Sequence, residues 1–512
     1  MPLTFGDLLR RHAATWPEHP AYVSFDGRVT WAELKRRTDA LGHALKRAGI
    51  RPGDRVAMLA ADCIEVAELF LACARIGAVR VGFNARLAGR EIAQLLDDSS
   101  PDLLFVQAGY EPLARAALRA ARHAPAFIGF GGQHGFAADY ADWLAAEARS
   151  GPLQDTPGDI AMLCYTTGST GSPKGAIYPH QQMLRSILYI ALSEGAVHDD
   201  VWLHAMPAGG VPIIHMLRNI FHGSTTAIVG PWEAERALAL MARERTTICV
   251  LVPTMLSSLL GSGLIDRYDR SSMRLLGYGA SPLPPATIRE AMAAFGCPFL
   301  QMYGTTELMG MSAMLFPSDH RRGLADRPEI LASAGRSLPW VDTRIVDDEG
   351  RDVPVGETGE VIVRSELTIP GYWNAPEKYA ETVRDGWLFT GDMGRRDEEG
   401  YLYLGDRAKF RIKTGGYNVF PTEVENVLAE HPAVHEVSVF GLPDPTWGER
   451  IHAVVSLKPG QSLDLEAARA FCQGKIANFK LPKSLAVWPE LPKGATGKIL
   501  KRQIMECTLA EG

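Results

Sequence analysis

The chain lacks any apolar run long enough to cross a bilayer. Its longest stretch without charge, Thr246 to Ile265, is broken by Pro253, Gly261 and Gly263 and carries several Ser and Thr. It therefore reads as buried strand, turn and helix, and no integral membrane segment is expected. The opening MPLTFGDLLRRHAATW has no apolar core of signal-peptide length. Cysteine is sparse: seven residues with no paired spacing give neither a disulfide framework nor a zinc site, and fit reduced thiols in a cytoplasmic protein. A basic excess is missing as well. With 53 Lys and Arg against 59 Asp and Glu the net charge is −6, which argues against a nucleic-acid partner but leaves room for small anionic ligands. Internal repeats are absent, and nothing fixes whether the chain forms a homo-oligomer. What remains is a globular composition, 46% hydrophobic and 22% charged, and at 512 residues it is too long for one ordinary core.

The most biased stretch is Tyr165 to Gly175, YTTGSTGSPKG. Glycines let backbone N–H groups turn inward, Ser and Thr add neutral donors, and Lys174 brings one positive charge, a combination suited to a polyphosphate. A Walker loop is excluded, because that motif needs Ser or Thr after its lysine and here Gly175 follows Lys174. The stretch lies between an apolar run, Ile160 to Cys164, and an expected helix.

Alternating patterns surround it. Helix 64–76 lies between strands at 56–59 and 79–83, a parallel-sheet unit, and the Ala-rich segment 111–150 reads as weakly patterned helix. Further strands are expected at 225–229, 248–252, 274–278 and 298–303, with helices at 233–243 and 285–295. Two strand ends carry small or polar residues, GYGAS (277–281) and QMYGTTE (301–307), and ligands bind at the carboxyl ends of strands in open parallel sheets. From about Val341 short alternating strands suggest a barrel-like subdomain. Beyond about residue 405 the pattern becomes a compact α+β unit. The expected class is α/β: a large domain 1–405 with parallel-type sheets and the barrel-like subdomain, then a small mobile domain 406–512.

Five stretches stand together: YTTGSTGSPKG, QMYGTTE, WLFTGDMG (387–394), GDRAKFRIKTGGYNV (405–419) and LPKGATGKI (491–499). In order and spacing they resemble the adenylate-forming superfamily of acyl-CoA synthetases, luciferases and peptide-synthetase adenylation domains, and among its branches most of all the fatty-acid and aryl acyl-CoA ligases. The resemblance implies two half-reactions: a carboxylate attacks the α-phosphorus of ATP, and coenzyme A then takes the acyl group. It implies that Thr166, Thr167, Gly168, Ser169, Thr170 and Lys174 hold the β- and γ-phosphates, that Glu307 binds Mg2+, and that Thr306 donates to the α-phosphate. Tyr303 would face adenine, with Gly279, Ala280 and Ser281 against the purine and Gln301 beside them. Asp392 would take the ribose hydroxyls and Arg407 a second ribose or phosphate contact. Lys498 would bridge the attacking carboxylate and the α-phosphate. Lys409 would be the hinge about which the small domain turns, bringing Lys413, Gly415 and Gly416 to coenzyme A.

The acyl pocket is expected at Gly209, Gly210, Val211, the GYGAS loop, Met309 and Gly310. No Arg or Lys lies in those segments, so an apolar acid is expected. Two departures from the family pattern stand out: Gly210 where many relatives have His, and Phe410 where they have an acid after the hinge. A carrier-protein or other acceptor, and a silent nucleotide-binding protein, are the alternatives. Lys498→Ala is expected to lower acyl-adenylate formation by a factor on the order of 10² or more, the cost of deleting one preorganised transition-state donor. Adenylate formation at the parental rate would refute that role.

Overall fold

The computed structural model describes the whole chain except residues 1–2, 167–173, 282, 408–409, 411, 415–416, 420, 446, 474, 477, 495–498 and 512. It divides into two compact units, one of residues 1–280, 290–317 and 364–388, the other of residues 281–289, 318–363 and 389–512. The second unit thus joins the barrel-like strands to the C-terminal region.

The larger unit is built on two sheets. Their strands begin with β1 (Pro20–Val23), β2 (Arg28–Thr30), β3 (Arg55–Ala60), β4 (Val79–Asn84), β5 (Leu103–Gln107), β6 (Ala126–Phe130) and β7 (Ala138–Asp139). Next come β8 (Ile160–Thr166), β9 (Lys174–Pro179), β10 (Val201–His204) and β11 (Thr225–Ile228). The last are β12 (Ile248–Leu251), β13 (Leu275–Gly279), β14 (Phe299–Thr305) and β15 (Gly310–Leu315). One sheet runs β7-β6-β5-β3-β4-β8-β9, and the other runs β15-β14-β13-β12-β10-β11-β1-β2. Both are parallel through their centres, where nearly continuous apolar strands are buried on both faces.

Local chemistry explains the helices that cover them. The Thr30 hydroxyl accepts from the Glu33 N–H and opens helix Trp31–Arg47, whose Trp31, Leu34, Leu41 and Leu45 are buried. Helix Ile64–Ile76 ends at Gly77, which takes φ +79°, a left-handed conformation that glycine adopts without cost. Arg75 of that helix is wholly buried yet satisfied, bonding Asp155 at 2.8 Å, Asp39 at 2.6 Å and the Thr38 hydroxyl at 3.0 Å. Such a network keeps a buried charge tolerable.

Two expectations are corrected by the structure. The segment after YTTGSTGSPKG is strand β9 before it is helix His180–Ser193, and β8 and β9 are antiparallel, with Thr166 opposite Lys174. The loop therefore closes a hairpin. Its strand character comes from antiparallel pairing with β8, which buries Ala176 and Tyr178 and extends to Pro179, the residue before the helix. The Ala-rich segment is likewise not all helix, since Ala126–Phe130 pairs in parallel with β5. Five residues are too few to show a period, but they are Ala-Phe-Ile-Gly-Phe, and the strand formers Phe127, Ile128 and Phe130 pair and pack as a strand inside the alanine-rich segment.

In the smaller unit, strands Asp342–Val346, Gly359–Arg364, Trp387–Arg396 and Leu402–Arg407 lie in that order in one sheet. A separate sheet is built around Val434–Asp444 and Gly448–Leu457, with Ser484–Val487 parallel to the latter. The terminal helix is Lys501–Glu511.

Candidate active site

The parallel sheets bring two groups of expected residues to strand ends. Strands β13 and β14 are parallel neighbours, with Gly279 in register with Met302, so the GYGAS and QMYGTTE segments emerge side by side. A Cβ at Gly279 would strike the Met302 carbonyl oxygen, and one at Gly304 the Gly310 carbonyl oxygen, so glycine is required for this close approach. Ala280 takes φ +71° directly after β13, and Met309 takes φ +48° at the end of the short turn Thr306–Leu308 that follows β14, both left-handed conformations. Gln301, Tyr303 and Thr306 are half-buried along this edge. Among the described residues Gln301 Oε1 and Thr305 Oγ1 are buried polar atoms without hydrogen-bond partners. An edge with such atoms is one that a polar ligand completes.

The β8–β9 hairpin is fastened to this edge. Tyr178 of β9 donates its hydroxyl to the Thr306 carbonyl at 2.8 Å. Tyr372 donates to Glu307 Oε1 at 2.6 Å, while the Ile369 N–H bonds the Glu307 carbonyl at 2.8 Å. The segment carrying Tyr372 is itself laid on β9, through Trp373 N–H to Gly175 O at 2.7 Å and Ile177 N–H to Gly371 O at 3.1 Å. Lys174 closes the arrangement, its Nζ lying 5.0 Å from the centre of the Tyr372 ring. Burial, then neighbouring Cys164 and Glu307, hold the Tyr178 hydroxyl protonated well above its ordinary range. Burial and then Glu307 do the same for Tyr372, so both remain donors at any physiological pH. Sequence reasoning missed both tyrosines, although each sits one to three residues from a motif glycine or a glycine turn and could be suspected as a buried hydroxyl in need of a partner.

Glu307 offers one carboxylate, and among the described residues no group of three acids, histidines or cysteines could cage a metal. The Glu307 carboxylate suits a hard cation such as Mg2+, which takes one or two carboxylates with phosphate oxygens and water.

Around the expected acyl pocket, Gly209 rests on the end of β4, where its Cβ would come within 2.9 Å of Asn84 N and Phe83 O. The loop is fixed by the Ala208 N–H to Asp62 Oδ1 at 2.8 Å, and Asp62 Oδ2 meets His204 Nε2 at 3.2 Å. Among the described residues beyond its chain neighbours, a Cβ at Gly210 would meet only Pro212 Cδ, at 3.9 Å. Val211 and Met309 pack in one apolar cluster, Met309 wholly buried, and the Ser186 hydroxyl bonds the Met309 carbonyl next to Gly310. His180 and His215 are core groups: burial pushes His180 down to about 4 and holds His215 well below the usual imidazole range. A cavity of about 390 Å³ opens elsewhere in this unit, between Asp62, Gln107, Tyr110 and Arg236. None of the expected site residues lines it.

Ser281 and Asp392 belong to the smaller unit. There Asp392 follows Gly391, whose φ is +71°, its N–H bonds the Thr390 hydroxyl at 3.1 Å, and in the strand register it faces Arg407. Thr167, Gly168, Ser169, Thr170, Lys409, Gly415, Gly416 and Lys498 lie outside the described residues, as do the side chains of Thr166, Arg407 and Lys413.

Comparison with known proteins matches residues 9–373 to the AMP-binding enzyme family and residues 423–498 to the AMP-binding enzyme C-terminal domain. The chain belongs to the AMP-binding enzyme family. It is 34% identical to the fatty acid–[acyl-carrier-protein] ligase ScoC of Streptomyces coeruleorubidus, covering 97% of this chain and 94% of that protein. It is also 34% identical to the indoleacetate–CoA ligase of Aromatoleum aromaticum, over 98% of each chain. The amide bond synthetase McbA of Marinactinospora thermotolerans superposes with a TM-score of 0.88 at 30% identity, covering 98% of this chain and 99% of that one. This AMP-binding enzyme thus falls among acyl- and aryl-CoA ligases and related acid-activating enzymes.

Tyr372→Phe is expected to keep the fold by circular dichroism and to slow adenylate formation about 10-fold or more, since a hydrogen bond to a charged group contributes roughly 1.5–3 kcal/mol. An unchanged rate would mean that Glu307 needs no holding.

Proposed function

We propose that this enzyme is an ATP-dependent acid–CoA ligase for a predominantly apolar fatty or aryl carboxylic acid. The observation that carries the reading is the joining of Lys174, Thr306 and Glu307 at one linked strand edge by Tyr178 and Tyr372. In the first half-reaction a carboxylate oxygen attacks the α-phosphorus, the bond to the β-phosphate bridging oxygen breaks, and acyl-adenylate and pyrophosphate form. In the second the thiol sulfur attacks the acyl carbonyl, AMP leaves with the oxygen it gained, and the thiol proton passes to solvent.

Lys174, with the Thr166 to Thr170 loop, holds the departing pyrophosphate, and Thr306 donates to the α-phosphate. Glu307 would hold Mg2+, and the metal would supply positive charge that offsets the polyphosphate's. The purine lies between Tyr303 and Gly279–Ala280, near Gln301, with Ser281 beyond, and Asp392 and Arg407 take the ribose. Lys498 neutralises the approach of two anions. No base is required, because the attacking carboxylate is already ionised. The small domain 406–512 turns at Lys409 between steps, exchanging Lys498 for Lys413, Gly415 and Gly416 beside the pantetheine arm. A second reading, transfer to a carrier-protein thiol or an amine, is favoured by the likeness to ScoC and McbA.

Mass spectrometry of the protein with ATP, Mg2+, coenzyme A and a panel of aliphatic, branched and aromatic acids is expected to give acyl-CoA and AMP. AMP without thioester would favour the second reading. No product from any acid would overturn both.

A further inference from the structure

Among the described residues three arginines are buried, and one differs from the others. Arg75 has a partner on every nitrogen, and Arg218 is paired with Glu194 and His215. Arg80, on β4, is 2% exposed, and neither Nε nor Nη1 has a hydrogen-bond partner. Its strand neighbours are Val56 on β3 and Met162 on β8, both wholly buried in the apolar cluster that also holds Cys164, Ala208 and Met309. Burial lowers the guanidinium only to about 10, so it stays charged at neutral pH. A buried guanidinium with two unmatched donors is costly in such surroundings and survives where function requires it.

The side chain runs toward the carboxyl end of the strand, over a residue without a side chain. A Cβ at Gly82 would stand 2.7 Å from Arg80 Cζ and 2.6 Å from the Gly209 carbonyl oxygen, so the guanidinium lies in a notch between Gly82 and the 207–210 loop. The neighbouring carboxylate, Asp62, is already taken by the Ala208 N–H and His204. The notch therefore adjoins the segment assigned to the acyl group, and its cation comes from a strand distant in sequence from that segment.

We propose that Arg80 is a specificity-determining residue that binds an acceptor oxygen carried by the acid beyond the carboxyl group that is activated. The oxygen belongs to a hydroxyl, carbonyl or second carboxylate on an otherwise apolar acid. This rests on the ligase reading above and narrows its substrate class.

The test measures acid-dependent AMP release with matched acids: octanoate against ω-hydroxyoctanoate and octanedioate, and phenylpropanoate against its ring-hydroxylated counterpart. The parental enzyme is expected to favour an oxygenated member by about 10²-fold or more in kcat/KM, because a buried donor left unmatched rejects the plain acid. Arg80→Met is expected to abolish that preference while turning over the plain acid at least as fast, and to raise the melting temperature. Arg80→Lys should keep part of the preference. Equal use of both members by the parental enzyme would overturn the proposal while leaving the ligase reading intact, as would an equal loss on all acids in Arg80→Met with a lower melting temperature. Failure of the parental enzyme on every acid would overturn both.

Discussion

Two tyrosine hydroxyls hold together what the chemistry needs held together. Tyr178 lies on the hairpin that carries the phosphate loop and Tyr372 on the segment laid against that hairpin, and both bond the turn at Thr306 and Glu307 on the other sheet. One sheet supplies Lys174, the other Thr306 and Glu307, the residues to which the proposed function gives the pyrophosphate, the α-phosphate and the metal. Neither works without a fixed distance between them. Buried, protonated phenols are stiff and keep their hydrogens across the working pH range, which a histidine bridge would not.

The glycines serve the same end from the other side. Gly279, Gly304 and Gly209 each stand where a Cβ would meet backbone, so strands and loops approach more closely than side chains permit. Positive φ at Ala280, directly after β13, and at Met309, closing the turn after β14, redirects the chain at this edge. Strain of this kind persists where the surrounding sheet over-determines the backbone, as parallel pairing does here.

Much of this was legible in the sequence. Small and polar residues marked GYGAS and QMYGTTE as strand ends, and β13 and β14 do end there as parallel neighbours. Helix 64–76 and its flanking strands follow from periodicity alone. The hairpin after the loop was not legible, because Gly175 to Pro179 is too short to show a period and its strand character comes from pairing with β8. Tyr178 and Tyr372 were hidden for a different reason: they act on a backbone carbonyl and on a carboxylate distant in sequence, and no local pattern records such a partner. Arg80 was hidden likewise, since a single arginine in a strand usually marks an exposed edge and only burial shows otherwise.

An acyl-adenylate formed at the joined strand edge, before any thiol takes part, is the central claim. Exchange of labelled pyrophosphate into ATP, with Mg2+ and a carboxylic acid but no coenzyme A, tests it directly. Exchange that depends on the acid and disappears in Glu307→Gln is the expected result. Thioester formation by the same protein and acid, with no exchange in the absence of coenzyme A, would contradict it.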